Sequence, residues 1–237
     1  MIDMTQGRIH SIQTLGTIDG PGVRFVVFMQ GCNLRCSCCH NPDTWEIDSG
    51  TLYSPEEIVE KVIRYKEYFG EDGGITVSGG EPLLQPEFVT ELFKLCHKEN
   101  INTCLDTSGG ILNNKIKTML EETDRVLLDI KYTNDEDYRK YVGCDMYRVI
   151  EFLSYLNEKK IPVTLRQVII PTVNDTEENI LKIKYIKKKY PCIDNVELLP
   201  FRKICQVKYD KMGIEFPFGI LREATKDDID RLYEALK

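Results

Sequence analysis

Residues 23–41 read VRFVVFMQGCNLRCSCCHN, an apolar run followed at once by four of the chain's nine cysteines. The apolar and β-branched residues predict a strand that ends near Met29. Cys32, Cys36 and Cys39 follow with the spacing C-x3-C-x2-C on one tight loop, residues 31–41, which we call the cysteine loop. A strand that runs directly into a thiol-rich loop is the starting point for predicting both the fold and the chemistry.

Five further short apolar runs, each bounded by glycine, proline or charged residues, also predict strands, and helical patterns accompany them. Strand and helix alternate, which implies a parallel sheet with helices outside it. Six such units predict an α/β fold of the TIM type that is incomplete, a (β/α)6 barrel, because a closed barrel needs eight. The predicted strands are 23–29, 75–78, 102–106, 126–130, 163–170 and 196–199, and the predicted helices are 54–69, 86–99, 113–122, 135–141, 147–159, 177–190 and 226–236.

Length and composition predict one globular domain. The chain has 237 residues, of which 42% are hydrophobic and 29% are charged. These values are ordinary for a folded protein, and single α/β-barrel domains commonly reach this length. We expect one domain over residues 1–237, with a partial barrel at about 22–200 and a C-terminal tail and helix at 201–237.

Charge and hydropathy exclude several classes of protein. The formal charge of −7 argues against a general affinity for nucleic acid or for an anionic membrane, because both require a basic surface. No stretch approaches eighteen consecutive apolar residues, and the start MIDMTQGRIH lacks a signal-peptide pattern. A cytoplasmic location is therefore expected, and an odd number of cysteines in that compartment indicates metal binding before disulfides.

The cysteine spacing by itself allows two metal sites. Three thiolates on one loop can hold three irons of a 4Fe-4S cluster, which leaves the fourth iron open to a substrate's amine and carboxylate. The alternative is a structural zinc ion with Cys38 or His40 as the fourth ligand. All-sulfur ligation does not distinguish the two metals, so the rest of the chain has to decide.

Short motifs precede and follow the cysteine loop. Each is a weak signal alone, but all of them occur in order and at suitable separations. They are GRIHS at 7–11, GTIDGPGVR at 16–24, NPDTW at 41–45, SGGEP at 78–82, CLDTSG at 104–109, LLDIK at 127–131 and ELLPF at 197–201.

On these motifs the chain resembles the radical S-adenosylmethionine superfamily, and within it the glycyl-radical-enzyme activating enzymes. The resemblance runs from Gly7 to about Tyr209. It implies an oxidoreductase that uses a 4Fe-4S cluster and S-adenosylmethionine to place a radical on a glycine of a partner protein. It also implies a reduced flavodoxin or ferredoxin as the electron donor.

The expected partner is pyruvate formate-lyase. Many activators of diol or choline lyases resemble this chain but carry a cysteine-rich insert after the cluster loop, and residues 41–74 contain no cysteine. Arg202 stands where the family often has histidine, which leaves activation of another glycyl radical enzyme as the alternative. A non-catalytic, zinc-stabilised protein is the alternative from a different class.

The resemblance assigns the iron–sulfur ligands to Cys32, Cys36 and Cys39. This choice keeps the family spacing and leaves the His-Asn pair that follows in register. Cys38 stands where the family usually has an aromatic residue, and it competes with Cys39 for the third ligand position. We favour Cys39.

The motif at 78–82 is expected to bind the methionine end of S-adenosylmethionine. A glycine pair lets the backbone approach a ligand closely, and Glu81 can accept hydrogen bonds from a cationic amine. The cofactor-binding residues implied by the resemblance are Cys38, His40, Gly79, Gly80, Glu81, Asp106, Thr107, Asp129, Lys131, Arg166 and Arg202.

A cation site is also expected. Asp129 follows an apolar run, where a carboxylate is costly to bury unless it is paired or binds a cation. By resemblance, Asp106, Thr107 and Asp129 help to hold a monovalent cation, Na+ or K+, beside the cofactor.

Direct roles in the reaction are expected for four residues. By resemblance, Lys131 reaches the cofactor carboxylate beside Asp129. Arg166 lies within the predicted strand 163–170, and an interior position would let its planar fork clamp a carboxylate. Asp19 precedes the first predicted strand, and in the family this loop helps to receive the partner's glycine segment. Because most of these residues follow carboxyl ends of predicted strands, we expect one shared pocket.

Overall fold

The computed structural model of the protein describes residues 5–236, and in them eight strands and eight α-helices follow one another. The strands are β1 (Gly7–Gly16), β2 (Arg24–Met29), β3 (Thr51–Tyr53), β4 (Gly74–Gly79), β5 (Asn102–Thr107), β6 (Arg125–Asp129), β7 (Val163–Ile169) and β8 (Ile193–Pro200). The helices are α1 (Pro55–Ile63), α2 (Pro86–Lys98), α3 (Asn114–Glu121), α4 (Asp135–Tyr141), α5 (Met146–Lys159), α6 (Glu177–Lys189), α7 (Gln206–Met212) and α8 (Lys226–Leu236).

These strands form one sheet in the order β3-β1-β2-β4-β5-β6-β7-β8. β2 pairs in parallel with β4, β4 with β5, and β7 with β8. The series begins at β3 and ends at β8 without joining them, as an incomplete barrel requires. The predicted α/β class with a mostly parallel sheet is confirmed. Within residues 5–236, no helix is long and apolar enough to cross a membrane.

Two strands were not predicted, and both lie at the antiparallel edge of the sheet. β1 pairs antiparallel with β2 and with β3, and its register sets Gly16 opposite Arg24. Most side chains of β1 are exposed or half-buried, and β3 has only three residues. Edge strands of this kind need no continuous apolar run, because one face is in water and pairing through the backbone holds them.

The structure contains two compact units. The first comprises the chain up to Asn33, Thr44–Thr107 and Ile111–Leu127, and the second comprises Leu34–Asp43, Ser108–Gly110 and the chain from Leu128. β6 begins in the first unit and ends in the second. One domain over residues 1–237 stays a prediction, and residues 1–4 and 237 lie outside the described residues.

Each unit has its own packing of helices. In the first, α2 packs against β5, α1 and α3. In the second, α6 packs against α8, α8 packs against β8, and α4 packs against α5. Nearly every residue of β2 and β4 is buried, so both faces of these strands are covered, as expected in a parallel sheet.

Most predicted helix limits agree with the structure to one residue. For α1, the predicted N-terminal cap is confirmed and the predicted end is wrong. Ser54 accepts a hydrogen bond from the Glu57 amide at 3.3 Å, and Glu57 accepts one from the Ser54 amide at 2.7 Å, which is the predicted capping box. α1 ends at Ile63, however, and only a short 3-10 turn at Lys66–Tyr68 continues it.

α7 was not predicted. It has seven residues, and only Tyr209 is buried among them. A single buried position gives no helical periodicity in the sequence, so the segment was expected to be a tail.

Candidate active site

The cysteine loop contains no helix or strand, and the backbone of its second part is held by the end of α4. The Ser37 amide donates to the Tyr141 carbonyl at 2.7 Å, and the Arg35 amide donates to the Val142 carbonyl at 3.3 Å. The last carbonyls of a helix have no partner inside the helix, so they are free to accept from another segment. The carboxyl end of α4 therefore orders the residues around Cys36.

The other end of the loop is held by residues that follow β8. The Tyr209 hydroxyl donates to the Cys39 carbonyl at 3.1 Å. His40 donates from Nε2 to the Arg202 carbonyl at 2.9 Å, and burial lowers the pKa of His40. Residues 39 and 40 are thus bonded to a part of the chain more than 160 positions away in sequence.

The cysteines differ in exposure. Cys32, in the first unit, is half-buried, as are Cys36 and Cys39 in the second unit, whereas Cys38 is buried. Burial raises the pKa of the Cys38 thiol to about 11. A metal ligand has to be a thiolate, so the burial of Cys38 is an obstacle to ligation. The Cys39 amide donates to the Cys36 carbonyl at 3.0 Å, which closes a turn between two predicted ligands.

The donor chemistry of the loop fits an iron–sulfur cluster. The three predicted ligands are soft thiols that lie within eight residues, and soft thiolates are the ligands that iron–sulfur clusters take. Within residues 5–236, no group of three or more histidine, cysteine, aspartate or glutamate side chains is close enough together to surround a metal ion. Metal binding commonly completes the folding of such sites, so the ligand assignment stays a prediction.

Glu81 joins the carboxyl ends of β4 and β5 in the first unit. Its side chain is buried, and Oε1 accepts hydrogen bonds from the Thr107 hydroxyl at 2.6 Å and the Leu83 amide at 3.1 Å. Beside it, the Ser78 hydroxyl donates to Asp106 Oδ2 at 2.7 Å. The predicted residues of these two strand ends therefore form one polar group.

Gly79 and Gly80 allow the backbone after β4 to lie directly against the end of β2. Gly79 has a φ of 105°, and a Cβ on Gly80 would lie within 2.1 Å of the Gly31 carbonyl oxygen. The Gly80 amide donates to the Met29 carbonyl at 2.9 Å, and the Glu81 amide donates to the Gly31 carbonyl at 2.8 Å. Close approach was expected here, and the structure shows that it brings the chain's own backbone together.

Asp129, Lys131 and Arg166 form an ion-paired group in the second unit. Arg166 Nε lies 2.9 Å from Asp129 Oδ1, and Lys131 Nζ lies 2.7 Å from Oδ2. Arg166 is buried, so its side chain does not point outward to solvent. The expected need of Asp129 for a partner is therefore met by two basic side chains, one on each carboxylate oxygen.

The charges of this group support one another. Burial alone would raise the pKa of Asp129, but the two cations lower it to about 2. Burial opposes the charge of Lys131, and the Asp129 carboxylate nevertheless holds the pKa of Lys131 well above its usual value. All three side chains are consequently charged near neutral pH.

Asp19 lies in the loop between β1 and β2, and it is tied to a buried arginine. Arg24 is fully buried and donates to the Thr76 hydroxyl at 3.0 Å and to Asn102 Oδ1 at 2.8 Å. Thr76 in turn donates its hydroxyl proton to the Asp19 carbonyl at 2.7 Å. The arginine that ends the motif at 16–24 thus orders the loop that carries Asp19.

Arg202 has its guanidinium bonded to the C-terminal part of the second unit. It donates to the Ala224 carbonyl at 3.0 Å and lies 3.7 Å from a carboxylate oxygen of Glu223. Its predicted role in cofactor binding stays a prediction, while its backbone carbonyl holds His40.

Two residues of the site were missed by sequence reasoning. Arg24 interrupts an apolar run, and a charged residue inside a predicted buried strand was a usable signal for an interior network. Tyr209 had no such signal, because only the folded chain brings it to the cysteine loop.

Comparison with known proteins places these motifs in a family. Residues 26–183 match the radical SAM superfamily. The pyruvate formate-lyase-activating enzyme of Listeria monocytogenes serovar 1/2a is 42% identical over 231 residues, which cover 94% of this chain and 92% of that protein. The enzyme of the same name from Clostridium pasteurianum is 42% identical over 235 residues, which cover 99% of this chain and 98% of that protein.

A solved structure shares the fold. It is a domain of a pyruvate-formate lyase-activating enzyme from Bacteroides vulgatus, with a TM-score of 0.58 and 21% sequence identity. The match covers 69% of this chain and 92% of that domain.

The ion-paired group predicts a pH dependence of stability. At pH 7, Asp129→Asn should lower the free energy of unfolding by about 3 kcal/mol, because it leaves buried positive charge without this carboxylate. The folded-state pKa of about 2 lies below the ordinary value, so the wild type should lose roughly 2 kcal/mol as the pH falls from about 4 to 2. Asp129→Asn should lack this loss in urea unfolding measured across that range.

The matched control is Asp227→Asn, which changes an exposed carboxylate on α8. It should follow the wild type at every pH. An equal acid dependence in Asp129→Asn and the wild type would contradict the assigned pairing.

Proposed function

The chain belongs to the radical SAM superfamily and, within it, to the pyruvate formate-lyase-activating enzymes, and from this we propose that it places a radical on a glycine of pyruvate formate-lyase. The observation that carries the proposal is the cysteine loop with its C-x3-C-x2-C spacing, held between the end of α4 and the segment after β8. The relatives that bear this name align over nearly the whole chain, so the proposal extends to the whole protein rather than to one motif.

The chain's own residues would bind and orient two cofactors. A 4Fe-4S cluster and S-adenosylmethionine, when bound, supply the radical that removes a hydrogen atom from the target glycine. Cys32, Cys36 and Cys39 would hold the cluster. The remaining task of the protein is to orient the reactants and exclude water, because a radical of this reactivity attacks other groups.

Two polar groups suit the two ends of an amino acid moiety. Glu81 has a buried carboxyl group, and an ionised carboxylate at this place would accept hydrogen bonds from a cationic amine. By resemblance, Lys131 and Arg166, which both bind Asp129, would also bind the cofactor carboxylate, and the planar fork of Arg166 suits that group.

The partner proteins are proposed on the same basis. A reduced flavodoxin or ferredoxin would supply the electron, and the cytoplasm would be the location.

Two alternatives to this function were left open by the sequence. Arg202 in place of the family's histidine leaves the target open to a different glycyl radical enzyme, and the cysteine spacing by itself also allows a structural zinc ion. Iron and sulfide analysis of anaerobically purified protein separates the zinc alternative from the cluster.

A monovalent cation is proposed beside the cofactor, held by Asp106, Thr107 and Asp129. Asp106 and Thr107 present oxygen atoms at the end of β5, and oxygen is the ligand that hard cations prefer.

KCl should raise the affinity for S-adenosylmethionine in wild-type holoenzyme but not in Asp129→Ala, as measured by titration calorimetry. Choline chloride serves as the ionic-strength control and Asp227→Ala as the protein control. Equal stimulation of Asp129→Ala and the wild type would remove the cation from the proposal.

The ligand assignment makes a second prediction. Replacing Cys32, Cys36 or Cys39 by alanine should abolish the reconstituted cluster, whereas Cys38→Ala should retain it, because Cys38 is buried. Iron and sulfide content and the visible spectrum after anaerobic reconstitution measure this directly. Loss of the cluster in Cys38→Ala with retention in Cys39→Ala would show that Cys38, and not Cys39, is the third ligand.

The activity itself is tested with the partner. With reductant and S-adenosylmethionine, the holoenzyme should produce a glycine-centred paramagnetic signal on pyruvate formate-lyase and one 5′-deoxyadenosine per radical. Asp19→Ala should impair this more than it impairs cofactor binding, because Asp19 lies in the loop expected to receive the glycine segment. A glycine hydrogen can be taken only from a near-attack distance of roughly 3–4 Å.

Asp48→Ala is the control, since Asp48 is an exposed carboxylate of the same unit. A signal on a diol or choline lyase, with none on pyruvate formate-lyase, would overturn the partner and leave the chemistry intact.

A further inference from the structure

α7 contacts the cysteine loop and the residues after it through two adjacent side chains. The Tyr209 hydroxyl donates to the Cys39 carbonyl at 3.1 Å. Lys208 donates from Nζ to Asn41 Oδ1 at 2.8 Å and to Asp43 Oδ1 at 2.9 Å. One short helix therefore bonds a backbone carbonyl of a proposed iron ligand and two side chains that follow it in the chain.

The support behind Tyr209 is rigid. Its side chain is fully buried, and its ring centroid lies 4.7 Å from that of Phe216. Phe216 packs on Phe201, Phe201 packs on Phe218, and Phe218 packs on Tyr141, with centroids 5.3 to 6.3 Å apart. This series of rings connects α7 to the end of α4 within one unit.

Both ends of the segment are consequently attached to the same packed group. Tyr141 offers its carbonyl to the Ser37 amide on one side, and Tyr209 offers its hydroxyl to the Cys39 carbonyl on the other. Cys36 directly precedes the attached Ser37, and Cys39 is itself the other attached residue. A segment attached at two points to a packed group keeps its cysteines at a nearly constant separation.

We propose that Tyr209 and Lys208 are positioning residues for the iron–sulfur cluster: they hold the Cys39 end of the loop so that its thiolate stays in place when the cluster is bound and changes its redox state. This inference rests on the proposed function, because it assumes the cluster. Groups that orient a metal ligand from outside the ligand set typically change metal retention by 10- to 100-fold when they are removed.

The Tyr209 hydroxyl and the Lys208 ammonium group contribute little to the stability of the fold. Lys208 is partly exposed, and an ion pair such as that with Asp43 adds little to overall stability in water. Tyr209→Phe keeps the ring and its packing and removes only the hydroxyl. Their effect should therefore appear in the cluster and not in the stability of the cluster-free protein.

The experiment compares the wild type with Tyr209→Phe, Lys208→Met and the double variant, all reconstituted anaerobically. The rate at which each loses iron to a ferrous chelator should rise about tenfold in each single variant and further in the double variant. The electron paramagnetic resonance spectrum of the reduced cluster should change in Tyr209→Phe. Thermal unfolding of the cluster-free proteins should stay within a few degrees of the wild type.

Two matched controls carry the same chemical changes elsewhere in the unit. Tyr233→Phe removes a hydroxyl that accepts from the Leu198 amide at 2.9 Å, and Lys182→Met removes an ion pair with Glu178 on α6. Both should keep wild-type iron retention and the wild-type spectrum.

Three outcomes overturn the inference. If both Tyr209→Phe and Lys208→Met retain iron as the wild type does, this inference is overturned and the proposed function is not. The same holds if the cluster-free variants lose enough thermal stability to explain the faster release of iron. A wild-type protein that takes up no iron and sulfide would overturn the proposed function, and this inference with it.

Discussion

The structure depends on one constraint: the segment that carries the thiols has no regular secondary structure, so its backbone polar groups must find partners elsewhere. Amides around Cys36 find them at the carboxyl end of α4, and the Cys39 carbonyl finds one in the hydroxyl of Tyr209. The end of α4 and the Tyr209 hydroxyl thus give this loop hydrogen-bond partners, as neighbouring strands give them to a strand. The aromatic rings between α4 and α7 serve this task because they hold both partners in place.

The polar residues at the strand ends follow a second rule, that buried charge must be compensated where it lies. Asp129 is compensated by two cations, and the group as a whole carries one positive charge. Glu81 Oε1 instead accepts from a hydroxyl and an amide, both neutral. In both units, a carboxyl group near a strand end thus accepts hydrogen bonds from donors of its own unit.

Much of the fold could be predicted because its signals are local. The six predicted strands correspond to β2 and β4 to β8, and most limits agree to one residue. β1, β3 and α7 were missed for a common reason: few of their side chains are buried, and pairing or a single contact holds them. For the candidate site, residue types and strand ends were predictable, whereas the pairing of Asp129 with Arg166 and the partners of Arg202 and Asp19 were not, because they come from other parts of the chain.

The amino-acid sequence by itself determined the family, the order of strands and helices, and the residue types available for chemistry, because each of these is written in spacing and periodicity along the chain. Only the tertiary structure decided that Arg24 orders the loop of Asp19, that Lys131 and Arg166 share Asp129, and that Tyr209 holds Cys39. These contacts join residues as far as 170 positions apart, and no local pattern encodes which distant donor will meet which acceptor.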